Sequence, residues 1–166
     1  GNETTTPFAP PPIDDVVRKI IADKPEIVFA PHVETSAGII LPDDYIRAVA
    51  EAAHEVGALF VLDCIASGAI WVDMADTGVD VLTSAPQKGW SASPSSGVVM
   101  LSARALARLP ETKSTSFACD LAKWHSIMGA YLNGGHAYHA TMPTDALRAF
   151  RDVVTETKAF GYSEAK

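Results

Sequence analysis

The chain has 166 residues and carries 20 acidic against 13 basic side chains, so its formal net charge is −7. Because affinity for nucleic-acid backbones comes largely from clustered lysine and arginine, this balance argues against a nucleic-acid-binding protein. Apolar residues make up 48% of the sequence and charged residues 20%, a composition that indicates a folded domain and argues against a disordered segment.

The sequence also lacks the usual signals for membranes and secretion. Its longest apolar runs, 58–62 and 97–101, are far shorter than the about 20 residues needed to cross a bilayer. The N-terminus has neither the basic region nor the hydrophobic stretch of a secretory signal. Cys64 and Cys119 are too few for a disulfide framework. We therefore expect a cytoplasmic protein with no membrane contact.

The first part of the chain divides into an arm and the start of a folded unit. Residues 1–12 are rich in Thr and Pro and have no periodic apolar pattern, which predicts an extended or disordered arm. Residues 13–166 show one composition throughout and are expected to form a single unit. Apolar residues at helical spacing behind an acidic start predict its first helix over 14–24.

A strand, a helix and a second strand are predicted next. The apolar run 26–30 favours a buried strand, 43–56 has the periodicity of a helix, and 58–62 favours another buried strand that ends at Asp63. A crossover of this length normally joins parallel neighbours in one sheet.

The second half of the sequence predicts two more strands and three helices. The strands are expected over 79–84 and 97–101, the second returning beside the first, and the helices over 103–109, 120–132 and 143–160. The whole pattern predicts an α/β fold with a mostly parallel sheet and flanking helices.

Three polar clusters follow predicted strands: 32–38, 63–68 and 87–89. Because ligands of such sheets bind beyond the carboxyl ends of the strands, these clusters are the candidate site.

Asp63 and Lys88 at neighbouring strand ends suit a pyridoxal phosphate site. A lysine in a partly dry site can act as a nucleophile and form a Schiff base with the cofactor's aldehyde carbon. An aspartate can hold the ring nitrogen protonated, so that the ring accepts electrons. The alternative from the residues alone is a surface lysine and a capping aspartate.

Four segments decide between these interpretations: His32-Val33-Glu34-Thr35-Ser36-Ala37-Gly38, Val61-Leu62-Asp63-Cys64-Ile65-Ala66-Ser67-Gly68, Gly78-Val79-Asp80-Val81-Leu82 and Ser84-Ala85-Pro86-Gln87-Lys88-Gly89. In order and spacing they resemble the class V aminotransferases, and within that class the alanine-glyoxylate and serine-glyoxylate (serine-pyruvate) group. The resemblance covers about residues 13–160. It implies the central part of the large domain of a fold-type I pyridoxal-phosphate-dependent transferase.

The resemblance also implies roles for five residues. Lys88 would form the internal aldimine and then move the α-proton of the substrate, while Asp63 would pair with the pyridinium nitrogen. Thr35 would hydrogen-bond the phenolic oxygen of the cofactor. Ile65 would pack against one face of the ring, and Gln87 would contact the phosphate.

A further segment, Tyr138-His139-Ala140-Thr141-Met142-Pro143, resembles the stretch in which a Tyr and a Thr reach the phosphate of the neighbouring subunit's cofactor. This implies that Tyr138 and Thr141 bind phosphate and that the protein is a homodimer with shared sites.

The function implied is transfer of an amino group from alanine or serine to a 2-oxo acid such as glyoxylate or pyruvate. A phosphonate amine remains open as the substrate. The family's phosphate loop, ring-stacking aromatic residue and substrate-binding arginine have no counterpart in this sequence. The chain is therefore expected to be the middle of a longer subunit and to be inactive by itself.

Several alternatives stay open at this point. A lyase or desulfurase of the same fold would need a catalytic cysteine on a mobile loop, whereas Cys119 is expected at a helix start. A truncated dimerisation module without chemistry is a second alternative. His136 and His139 have a spacing that can bind a metal, although no metal site is predicted. His32 is expected either to contact the ring or to be a hydrogen-bonded loop residue.

Overall fold

A computed structural model describes residues 6–162 and 164. The helices are α1 (Ile13–Asp23), α2 (Asp43–Glu55), α3 (Met74–Thr77), α4 (Ala103–Arg108), α5 (Leu121–Leu132) and α6 (Thr144–Phe160), with a 3-10 turn over Leu109–Glu111. The strands are β1 (Ile27–Pro31), β2 (Val33–Glu34), β3 (Ile39–Ile40), β4 (Leu59–Asp63), β5 (Val81–Ser84) and β6 (Val98–Leu101). In the described part of the chain, no helix is long and apolar enough to span a bilayer.

The main sheet has four strands in the order β1, β4, β5, β6. Strand β4 pairs in parallel with β1 and with β5, whereas β6 returns antiparallel to β5. Strands β2 and β3 form a separate small hairpin. The predicted α/β fold, the parallel β1–β4 crossover and the return strand are therefore confirmed.

One face of the sheet carries the core. Successive side chains of a strand point to opposite faces, so Phe60 and Leu62 of β4 share the face that packs against α2. Both side chains are fully buried, as are Ile46 and Ala53 on the inner side of α2. Gly57, with a positive φ of 81°, follows the C-cap residue Val56 of α2, as expected for a residue that ends a helix. The periodic apolar positions of the sequence thus form this core.

The prediction that the first strand is buried is wrong. Strand β1 lies at the edge of the sheet, and Ile27 and Phe29 are 57% and 62% exposed. They point to the face opposite α2, together with Val61 and Asp63 of β4, with which β1 pairs in register. No helix in the described ranges covers that end of the face, so an apolar strand remains open to solvent.

Two short elements are not predicted by the sequence. The polar stretch after β1 contains the β2–β3 hairpin, and the four-residue helix α3 precedes β5. Asp73 is the N-cap of α3, and its Oδ1 accepts the N–H groups of Ala75 and Asp76 at 2.9 and 3.1 Å. A local cap therefore forms a helix too short to show apolar periodicity.

Asp80, just before β5, is 2% exposed and joins four parts of the fold. Its Oδ2 accepts the backbone N–H of Phe60 at 2.9 Å, His54 Nε2 at 2.9 Å and a guanidinium nitrogen of Arg104 at 3.1 Å. Its Oδ1 accepts the hydroxyl of Ser102 at 3.1 Å. Burial raises the pKa of Asp80, but the bonds from Phe60, His54 and Ser102 outweigh it, and the net pKa lies below the usual 3.8.

Replacing Asp80 by asparagine is expected to lower the free energy of unfolding by about 2–3 kcal/mol, because the variant loses a charge that accepts several buried hydrogen bonds. Since the folded-state pKa is depressed, the contribution of Asp80 is fully present above the unfolded pKa and is lost as the pH falls through the folded-state value. Urea unfolding of both proteins between pH 7 and pH 3 measures the difference, which should shrink below about pH 4.

Asp76→Asn is the matched control. Asp76 also faces an arginine, with a nitrogen of Arg47 2.7 Å away, but its side chain is 63% exposed. An exposed ion pair contributes about 0–1 kcal/mol. Equal losses in the two variants would contradict the role given to Asp80.

Candidate active site

Asp63 is the last residue of β4 and stands between two neighbouring strands. It pairs in register with Pro31 of β1 and with Thr83 of β5. Its side chain is half-buried, and its Oδ1 accepts the N–H of Ile65 at 2.9 Å. Among residues 6–162 and 164, no further hydrogen bond or ion pair engages its carboxylate. One oxygen is thus held by the turn, and the other is free to accept a donor.

Lys88 lies in the turn that follows β5, one strand away from Asp63. The backbone N–H of Lys88 donates to the Ala85 carbonyl at 3.3 Å, and its own carbonyl accepts the N–H of Ser91 at 3.0 Å. The side chains of Gln87 and Lys88 are exposed. Within the described ranges, the amine of Lys88 has no ion-pair partner, so it can reach a ligand at the strand ends.

A contact between two glycines holds these turns together. A Cβ placed on Gly89 would overlap the carbonyl oxygen of Gly68, so the backbones touch at this point. Gly68 ends the segment that begins at Asp63, and Gly89 adjoins Lys88. The two turns therefore have a fixed relation that requires a residue without a side chain at position 89.

Gly89→Ala is expected to destabilise the chain by about 1–3 kcal/mol, because the added methyl group forces one of two packed backbones to move. Gly97→Ala is the control, since a Cβ there meets nothing within 4 Å. Chemical denaturation of the two variants measures the difference. A midpoint for Gly89→Ala no lower than that of Gly97→Ala would show that the turns accommodate the methyl group.

Thr35 lies in the turn of the β2–β3 hairpin, beyond the end of β1, and is exposed. The preceding residue, Glu34, accepts the N–H of Ser36 through Oε1 at 3.0 Å and also accepts its hydroxyl. These bonds, from the hydroxyl first and then from the N–H, lower the pKa of Glu34. Ile65 is half-buried in the turn after Asp63. The three polar clusters thus follow three adjacent strands.

Tyr138 and Thr141 form a separate pair on the connection between α5 and α6. Their hydroxyl oxygens are 3.0 Å apart, and Tyr138 is 78% exposed. In the part of the chain that the structure describes, no hydrogen bond joins them to the strand ends. Thr35, Asp63, Ile65, Gln87 and Lys88 therefore lie at the carboxyl ends of three adjacent strands, β1, β4 and β5. Tyr138 and Thr141 lie outside this group.

His32 is a hydrogen-bonded loop residue, the second of its two expected roles. Its ring is 1% exposed and Nδ1 lies 2.7 Å from the hydroxyl of Ser67. Burial lowers the pKa of His32, although Asp43 and the backbone of Leu41 raise it. The Ser67 contact could not be predicted from the sequence, because the two residues are 35 positions apart.

The two cysteines differ in environment. Cys64 is buried, and its burial raises the thiol pKa to about 11, which favours a packing role over a nucleophilic one. Cys119 is exposed and lies in a turn directly before Asp120, the N-cap of α5, so the predicted helix start at 120 is within one residue of the observed start at Leu121. Among residues 6–162 and 164, no three His, Cys, Asp or Glu side chains are grouped to hold a metal ion. His139 instead donates from Nε2 to the Phe117 carbonyl at 2.7 Å.

An aromatic cluster lies near the candidate site, on the face of the sheet that carries the core. Trp71 and Trp90 have ring centroids 4.8 Å apart, and Trp90 also packs against Phe150 at 5.8 Å. Trp90 Nε1 donates to Ser84 Oγ at 3.2 Å. Both tryptophans line a half-open cavity of about 370 Å³. Their contacts are those of packing groups.

The chain is similar in sequence to known aminotransferases. The family model described as aminotransferase class-V matches residues 12–166. The 2-aminoethylphosphonate–pyruvate transaminase of Burkholderia ambifaria is 33% identical over 153 residues, which are 90% of this chain and 39% of that protein. The alanine–glyoxylate aminotransferase of Oryctolagus cuniculus is 29% identical over 143 residues, 84% of this chain and 36% of that one.

The solved structures give the same result for the fold. The ureidoglycine-glyoxylate aminotransferase of Bacillus subtilis superposes with a TM-score of 0.76 at 27% identity, over 92% of this chain and 38% of that one. The expected α/β fold of fold-type I pyridoxal-phosphate transferases is thereby confirmed. The chain spans less than two fifths of the length of these three relatives. Because the family model matches residues 12–166, nearly the whole chain, the chain belongs to the class V aminotransferase family.

Proposed function

We propose that this chain provides the central part of a pyridoxal-phosphate-dependent aminotransferase. The reaction would move an amino group from alanine or serine to a 2-oxo acid such as glyoxylate or pyruvate. Family membership implies the cofactor. The observation that carries the proposal is the pairing of Asp63, with one free carboxylate oxygen, and the exposed Lys88 on adjacent strand ends.

The chemistry of the side chains fits pyridoxal phosphate. The free oxygen of Asp63 can accept a ring N–H, and the amine of Lys88 can react with an aldehyde. Thr35 offers a hydroxyl for the phenolic oxygen, Ile65 an apolar side chain for the ring face and Gln87 an amide for the phosphate. When bound, the cofactor supplies an electron sink for the bond between the α-carbon and its hydrogen.

Asp63 and Lys88 have different roles: Asp63 supplies a negative charge and Lys88 transfers a proton. Asp63 keeps a negative charge at a half-buried strand end, which stabilises a proton on the ring nitrogen opposite. Lys88 would hold the cofactor through its amine and would take the α-proton of the substrate on Nζ. The turn contact between Gly68 and Gly89 keeps these two groups on adjacent loops.

We also propose a homodimer in which Tyr138 and Thr141 donate to the cofactor phosphate of the neighbouring subunit. Exposure of Tyr138 and the 3.0 Å separation of the two hydroxyls favour this role, because both donors are close together and open to a partner. Leu132, at 84% exposure, ends α5 beside this loop and offers apolar surface to the same partner.

We propose a cytoplasmic location for the enzyme. Both cysteines of this chain are free thiols, which fits that location.

2-Aminoethylphosphonate is the second candidate amino donor. It is named in the relative that is 33% identical to this chain, whereas alanine is named in the one that is 29% identical. The two donors differ in their acid group, which is a carboxylate on the carbon that bears the amine in alanine and a phosphonate one carbon farther away in 2-aminoethylphosphonate. Assays with alanine and glyoxylate, and with serine and 2-aminoethylphosphonate each with glyoxylate and with pyruvate, decide between them.

The cofactor is tested by borohydride reduction followed by peptide mapping. The chain and its longest encoded form are incubated with pyridoxal phosphate, reduced and digested. A reduced cofactor is expected on Lys88, because its exposed amine follows β5 and, in the described part of the chain, has no ion-pair partner. Absence of the adduct from the longest encoded form would refute the proposed function, whereas its absence from the chain alone would show that residues outside the chain are needed to bind the cofactor.

A further inference from the structure

His32 connects the end of β1 to both ends of the turn that carries Asp63. Its backbone N–H donates to the Asp63 carbonyl at 2.8 Å, and its own carbonyl accepts the N–H of Leu41 at 2.9 Å. Its ring, 1% exposed, reaches the hydroxyl of Ser67 at 2.7 Å. The backbone of His32 therefore holds the start of the turn, and its side chain holds the end.

The turn itself fixes the carboxylate of Asp63. The N–H of Ile65 donates to Asp63 Oδ1 at 2.9 Å, and the N–H of Ser67 donates to the Cys64 carbonyl at 3.2 Å. Ser67 is 7% exposed, so its hydroxyl has little access to water that could replace the ring of His32. Loss of that ring would remove one partner of a buried hydroxyl, which also hydrogen-bonds the Cys64 thiol, and would loosen the turn.

The turn that carries Asp63 also contacts the turn that carries Lys88. Gly68 follows Ser67 directly, and its carbonyl packs against the Cα of Gly89, beside Lys88. A shift of Ser67 would therefore move the backbone against which the Lys88 turn rests. Burial lowers the pKa of His32 and so disfavours the charged form of the ring. A neutral ring adds no positive charge that would compete for the carboxylate of Asp63.

We propose that His32 is a positioning residue that, through Ser67 and the Gly68–Gly89 contact, sets where the Asp63 carboxylate stands relative to the Lys88 amine. This inference rests on the proposed function for its effect on the cofactor. The bond from His32 to Ser67 touches neither group, so the role differs from those of Asp63 and Lys88. The chemistry requires a neutral hydrogen-bonding group at the place of Nδ1, which an asparagine amide can also supply.

Two measurements test the proposal on the longest encoded form, in a Cys119→Ser background. The first is the rate at which a thiol reagent labels Cys64, followed by mass spectrometry of the peptide that contains Cys64. This residue lies inside the turn and needs no cofactor for its readout. The second is the pH midpoint of the visible absorption of bound pyridoxal phosphate, which depends on the surroundings of Asp63 and Lys88. His32→Leu and Ser67→Ala remove the bond, whereas His32→Asn and Ser67→Thr keep a hydrogen-bonding group there.

His32→Leu is expected to speed labelling of Cys64 about tenfold, the effect of losing about 1.4 kcal/mol of turn closure. Ser67→Ala is tested by the absorption midpoint alone, because it also removes a hydrogen bond that lowers the pKa of the Cys64 thiol. Both variants should move the absorption midpoint by about 0.5 pH unit, a threefold change in the acid constant. His32→Asn should restore both values, and Ser67→Thr should restore the midpoint. His125→Leu, at an exposed position of α5, is the control and should change neither.

Labelling of His32→Leu no faster than that of His32→Asn would overturn the proposal. Faster labelling with an unmoved midpoint would also overturn it, because His32 would then hold the turn without affecting Lys88. A wild-type protein that retains no cofactor would refute the proposed function, and with it the link to Lys88. The labelling rates would still report whether His32 closes the turn, so the two failures are distinguishable.

Discussion

Replacing Lys88 by alanine is expected to abolish transamination, with turnover by the longest encoded form falling at least about 10³-fold. The variant loses both the amine that holds the cofactor and the base that moves the α-proton. Steady-state rates with the best donor and acceptor measure the effect. Borohydride reduction of the same sample should leave no cofactor attached to the chain, since no other amine is proposed to react with it.

Lys113→Ala is the matched control, because Lys113 is an exposed lysine on the connection between the 3-10 turn and α5. It should retain wild-type turnover and a cofactor on Lys88. Activity in Lys88→Ala within tenfold of the wild type would contradict the role of Lys88. A reduced cofactor on another lysine of that variant would do the same.

Asp63→Asn is expected to lower turnover about 10²–10³-fold while most of the cofactor remains bound. The amide oxygen of asparagine can still accept the N–H of Ile65, so the turn is kept. The negative charge is lost, however, and with it the stabilisation of a proton on the ring nitrogen. Turnover and the ratio of cofactor to chain, measured on one preparation, separate the two effects.

Asp120→Asn separates this charge effect from turn formation. Asp120 is the N-cap of α5, and its Oδ1 accepts the N–H of Lys123 at 3.0 Å. Asparagine caps helices about as well as aspartate, so this variant should keep full activity. If Asp63→Asn also kept full activity, Asp63 would be only a capping residue. That is the alternative interpretation given in the sequence analysis for an isolated aspartate and lysine.

The elements predicted correctly are those in which local pattern and tertiary packing agree. Helix α2 has its apolar residues on one face, and both Ile46 and Ala53 are buried as that pattern indicates. Strand β4 is an apolar run that ends at a carboxylate, and it occupies an interior place in the sheet. In such segments a single periodicity determines both the type of element and its buried side.

Burial of β1 could not be predicted in the same way. An apolar run predicts a strand, but it contains no information on whether neighbours cover both faces. Ile27 and Phe29 are exposed because β1 stands at the sheet edge, and they point away from α2. The two-residue strands β2 and β3 escaped prediction for another reason, since two residues are too few to show alternation.

The candidate site was predicted by its residue types and not by its geometry. The resemblance singled out Asp63 and Lys88, and strand pairing brings their turns to neighbouring strand ends. The contacts that fix those turns, Ser67 with His32 and Gly68 with Gly89, link residues far apart in the sequence. Such contacts depend on the three-dimensional arrangement of strands, which a single sequence leaves undetermined.

The open edge of β1 also affects how the chain behaves in concentrated solution. A free strand edge presents unpaired N–H and C=O groups to which another strand can add, and β1 has no lysine to discourage it. The exposed side chains of Ile27 and Phe29 make such addition more favourable. The net charge of −7 opposes association, but salt screens that repulsion. Low ionic strength therefore favours the monomer, whereas added salt favours self-association through β1.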